Sequence, residues 1–144
     1  MSGQKEIMQN DRERIIGLIK AISDRPAMYV GTCSLRAVSH YLDGYFHALN
    51  DLGYRDDTWK GWSKCIELKF LICSPAWHWT RILLHTYGSN ESSFSVLPDL
   101  FSEYLIKLEQ VGLAGIEMEH DEKLRSASGS IFLEPKETST KIFD

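Results

Sequence analysis

The clearest pattern along the chain is an apolar stripe in which Leu35, Val38, Leu42, Tyr45, Leu49 and Leu52 recur at steps of three and four residues. That spacing predicts an amphipathic helix, with Thr32 or Ser34 as its N-cap and Gly53 as its stop. Upstream, Ile15, Ile19 and Ile22 mark a first helix, widened by Ile16 and Leu18, capped by Asn10 or Asp11 and ended before Pro26. Proline disfavours helical backbone in the residue before it, so Arg25 to Gly31 reads as an ordered loop joining the two. In that reading Met28 and Tyr29 pack inward, and Arg25 pairs with a carboxylate or with the last carbonyls of the first helix.

Downstream the pattern is less decisive. Trp59, Trp62, Ile66 and Phe70 fit a helix started by Asp57 or Thr58, whereas Ile66, Leu68, Phe70 and Ile72 alternate with Glu67 and Lys69 as a strand would. The two tryptophans favour the helix. Pro75 separates this element from an apolar stretch, Trp77 to Tyr87, ended by Gly88. On a straight helix Trp77 and Trp79 would diverge by about 200°, which leaves one of them exposed. From Glu91 to Gln110, Phe94, Leu97, Leu100, Phe101, Tyr104, Leu105 and Leu108 again follow the helical period, with Pro98 breaking the first turn or marking the true start. Beyond Gly112, Ile116-Glu117-Met118 and Ile131-Phe132-Leu133 look extended, separated by the Ser126 to Ser130 stretch. The expectation is an all-α fold, a single domain over 1–144 with a bundle of four to five helices and a minor extended or hairpin element near the C-terminus. Residues 1–9 and 134–144 read as loose ends.

A chain of 144 residues with 43% hydrophobic and 25% charged side chains can bury a core without a metal or disulfide staple. Cys33, Cys65 and Cys73 are an odd number without paired spacing, and no export signal precedes them, so reduced thiols in the cytoplasm are expected. No apolar run approaches the roughly 20 residues that cross a bilayer. Sixteen basic against twenty acidic residues give a net charge of −4, which repels nucleic acid and favours basic partners.

Three constellations could carry chemistry. His40, Asp43 and His47 share one helical face and could hold zinc or iron, although the same spacing describes a solvated polar face. Glu117, Glu119, Asp121 and Glu122, which surround His120, could bind a cation or form an acidic docking patch, joined by Asp56 and Asp57. Cys33 precedes a helix start, where a thiol can be activated, but no histidine is tied to it by sequence as a base. Neither metal nor cofactor is expected, and no catalytic residue is assigned.

The segment Arg25-Pro26-Ala27-Met28-Tyr29-Val30-Gly31 resembles a signature of the gyrase B subunit and related GHKL ATPases. The following helix, Tyr41 to Ala48, offers neither the glutamate base nor the metal-binding asparagine of those enzymes at the expected spacing, and no glycine-rich lid follows. A second resemblance spans about residues 10 to 110. Arg25, Pro26, Met28, Tyr29 and Gly31, then Ser34-Leu35, then Leu42-Asp43-Gly44-Tyr45 and the helices bearing Trp59 to Trp79, are similar to a group of small bacterial immunity-type proteins of contact-dependent or polymorphic toxin systems. Ala27 stands where glycine is usual there. The resemblance implies a non-enzymatic protein that binds and neutralises a cognate toxin domain; a nuclease, commonly basic, suits this chain's negative charge.

Overall fold

The computed structural model describes residues 2–54, 58–74 and 76–129. Within them lie six helices and no strand. α1 (Ser2–Asp24) starts well upstream of the expected cap at Asn10 or Asp11; Asp11 instead pairs with Arg14 at 3.1 Å. Ile15, Ile19 and Ile22 form its buried stripe, as their spacing predicts. α3 (Leu35–Asp51) is capped by Ser34, whose Oγ accepts the Ala37 amide N–H at 3.2 Å, and it buries Leu35, Val38, Leu42 and Phe46.

Arg25 to Gly31 is not an irregular loop. Pro26 opens a one-turn helix, α2 (Pro26–Val30), for which its fixed φ is suited, and Gly31 closes it at φ 79° with its N–H donated to the Ala27 carbonyl. The left-handed position is therefore Gly31, and Ala27 sits at an ordinary helical site.

α4 (Trp62–Phe70) begins later than predicted, because Trp59 belongs to the preceding turn and reaches the core from there. Trp62, Cys65, Ile66 and Leu68 are buried along α4, which decides for helix over strand. α5 (Trp79–Tyr87) ends at Gly88 as expected, but Trp77 lies outside it, ahead of the N-cap His78. The angular argument for a straight helix thus does not apply, and Trp77 and Trp79 are both buried.

α6 (Asn90–Gly129) is the spine, packing chiefly on α1 and α4 and also on α5 and α3. Asn90 ties it to α3 by accepting the Leu35 amide N–H at 2.8 Å. Pro98 lies inside the helix, not at its start; Phe94, Leu97, Leu100 and Phe101 are buried around it, and packing holds the helix across the missing hydrogen bond. The helix breaks at Gly112, whose φ 73° and ψ 170° are open to glycine alone. Helix resumes as an arm over residues 113–129. Ile116-Glu117-Met118, expected to be extended, is part of that arm; Ile131 to Leu133 lie outside the described residues.

The core is joined by aromatic rings. Trp62 meets Trp79 and Tyr104 edge-on at centroid distances of 5.4 and 5.7 Å, while Trp59 stacks on Phe46 at 5.0 Å with planes 6° apart. The Tyr104 hydroxyl donates to the Thr58 carbonyl, pinning the turn before α4 to the spine.

Candidate functional site

The strongest candidate surface is α2 itself. None of its residues is buried: Met28 is 73% exposed and Tyr29 38%, against the inward packing expected from the sequence. Tyr29 meets Tyr41 of α3 edge-on at 5.9 Å, and Tyr41 is exposed as well. Arg25 reaches outward too, its guanidinium 3.9 Å from the Met28 sulfur and 3.9 Å from the Asp24 carboxylate. At that distance and exposure the ion pair contributes little. Pro26 and Gly31 fix the backbone at both ends, so Met28 and Tyr29 are displayed on a preformed turn with Tyr41 of α3 beside them.

The second motif, Leu42 to Tyr45, divides by role. Leu42 is core, Gly44 is exposed, Tyr45 packs edge-on against Phe46 at 5.3 Å, and Asp43 accepts the Trp59 indole N–H at 2.7 Å. His40 and His47 are exposed, and His47 lies 3.4 Å from Asp51. Asp43 is thus occupied by Trp59, and no metal-holding group of histidine, cysteine or carboxylate side chains occurs among the described residues.

The acidic residues lie on the arm of α6. Glu117 lies 3.9 Å from Lys64 and Glu119 lies 2.8 Å from Lys107, so two of the four carboxylates face lysines of the same molecule; Asp121 and Glu122 are exposed. Asp56 and Asp57 fall outside the described residues. Cys33 is exposed on an open groove of about 480 Å³ whose charged lining groups are Lys20, Asp24 and Glu91. No histidine lines that groove. Burial pushes the Cys65 and Cys73 thiols up, which makes them poorer nucleophiles at neutral pH.

Two features escaped the sequence reading. His120, placed there among solvated carboxylates, is buried beside Glu67 with Nε2 at 3.3 Å from Oε1. Its signal was the four-residue step from Ile116, hidden once Ile116 to Met118 was read as extended. His78 is the N-cap of α5, its Nδ1 accepting the Thr80 amide N–H at 3.3 Å and lying 2.8 Å from the Thr80 hydroxyl.

Comparisons with protein families, with curated proteins and with solved structures find no match to this chain. No described helix is long and apolar enough to cross a membrane.

Proposed function

We propose that this chain is an immunity-type protein that binds and neutralises a toxin domain, with α2 and Tyr41 as its docking shelf. The observation that carries the reading is the display of Met28 and Tyr29 on a turn that buries none of its own residues. Tyrosine is enriched among interface residues that dominate binding energy, and a backbone fixed by Pro26 and Gly31 has less ordering entropy to lose. The net charge of −4 suits a basic partner and speeds its encounter. Asp121 and Glu122 supply exposed carboxylates for that steering.

The test is survival. A toxin domain encoded beside this chain should kill cells that lack it and spare cells that express it, and the two purified proteins should bind with a Kd on the order of nanomolar. A neighbouring toxin that neither binds the chain nor is counteracted by it contradicts the proposal.

A further inference from the structure

The arm beyond Gly112 is attached by a short stripe, beginning with half-buried Leu113 beside Gly61. Among its described side chains only Ile116, fully buried, and His120, 6% exposed, lie inside the molecule. They are four residues apart and form one inward stripe. The Glu117–Lys64 and Glu119–Lys107 contacts lie at its margins, half exposed. The break at Gly112 uncouples the arm from the helix before it, and close approach there leaves no room for a side chain at Gly115, where a Cβ would come within 2.8 Å of Val111.

One of the two anchors is titratable and faces another titratable group. His120 Nε2 and Glu67 Oε1 are 3.3 Å apart, with 8% and 14% of their side chains exposed. Neither ring nitrogen makes an aligned hydrogen bond within the described protein. From α4, Lys64 faces the pair; from the segment after α4 comes Cys73, whose thiol donates to the Glu67 carbonyl at 3.8 Å. From the arm itself come Glu117, directed at Lys64, and Lys123, close enough to act on Cys73.

We propose that His120 and Glu67 form a proton-dependent latch, which holds the arm of residues 113–129 against α4 while one proton is shared between them and loosens when that proton is lost. With one proton the pair is neutral overall, as an imidazolium with a carboxylate or as an imidazole with a carboxylic acid. Without it a carboxylate stays buried against a neutral ring, a costly arrangement in a weakly polarisable interior. A released arm returns Glu67 to water and removes that cost. Burial raises the Glu67 carboxyl above its ordinary range, opposed by its contact with His120 and by the charges of His120 and Lys64. The docked form therefore binds the proton more tightly than the released form. Docking is strongest while the pair holds its one proton; it weakens as pH rises past the ordinary histidine value of about 6.5, where the released pair gives that proton up, and is lost as the docked pair gives it up in turn.

Hydrogen exchange on the full chain, followed amide by amide from about pH 5 to about pH 9, reads the latch directly. Protection factors over residues 113–120 should fall relative to residues 94–108 as pH rises above about 6.5, by about tenfold for each unit by which docking holds the pair's last proton above the ordinary histidine value. Glu67→Gln, which mimics the protonated acid, should keep the arm protected from about pH 7 to about pH 9, where the wild type loses protection. A wild-type arm that tracks residues 94–108 at every pH overturns the latch, as does a fall that persists unchanged in Glu67→Gln. Should that variant fail to fold, resonances of the His120 ring and the Glu67 carboxyl in the wild-type chain give the answer. Their common midpoint should match that of arm opening within about one pH unit, and a larger separation overturns the proposal.

Discussion

Asp43 accepts the indole N–H of Trp59 at 2.7 Å, across sixteen residues of sequence. This bond fastens the turn before α4 to the outer face of α3, while the same indole stacks flat on Phe46 beneath it. Asp43→Ala removes the acceptor and should lower stability by about 1 kcal/mol, whereas Asp43→Asn keeps an acceptor and should retain most of it. Urea unfolding curves of the three proteins check this. An Asp43→Ala midpoint equal to the wild-type value contradicts a structural role for the bond.

The cap of α5 makes a second, pH-dependent contribution. The His78 Nδ1 must be unprotonated to accept the Thr80 N–H, and the group's pKa is lowered first by burial and then by the nearby charges of His40 and Arg36, against the pull of Asp43. The unfolded chain therefore takes up this proton at a higher pH than the folded one. The stabilising contribution is complete above the ordinary histidine pKa of about 6.5 and is lost as pH falls through the lowered folded value. His78→Ser substitutes a cap that does not titrate. The wild-type Tm should fall relative to that of His78→Ser as pH drops from about 7.5 to about 5. A constant difference across that range contradicts the assignment.

The helices of the core were legible wherever an apolar stripe and its stop signals agreed. Leu35 to Leu52 with Ser34 and Gly53, and the stretch ending at Tyr87 and Gly88, came out close to their predicted bounds. The reading failed where tertiary packing overrode a local signal. Pro98 does not start α6 because four buried neighbours hold the helix through it, and Trp59 joins the core from a turn instead of extending α4. Beyond Gly112 the pattern of residues predicts extended chain. Gly112 is instead a break between two helical segments, which makes His120 an inward residue and not one of a solvated cluster. The Arg25 to Gly31 motif was recognised as ordered, but its orientation was not. Pro26 and Gly31 specify a turn, and nothing in the order of residues says on which side of it Met28 and Tyr29 fall.

That orientation separates a structural motif from a recognition surface, and one comparison of affinity and stability decides between them. The toxin domain encoded beside this chain is titrated against the wild-type protein and Tyr29→Ala, and the thermal midpoint of each is recorded. Tyr29 is partly exposed and its visible ring partner is Tyr41, so the substitution should cost about 0.5–1.5 kcal/mol of stability. At the interface it should cost about 2 kcal/mol or more, roughly a thirtyfold weakening, mainly through faster dissociation. A Tyr29→Ala protein that binds as tightly as the wild type, or one that loses stability on the scale of about 3 kcal/mol expected for a core aromatic, contradicts the docking shelf.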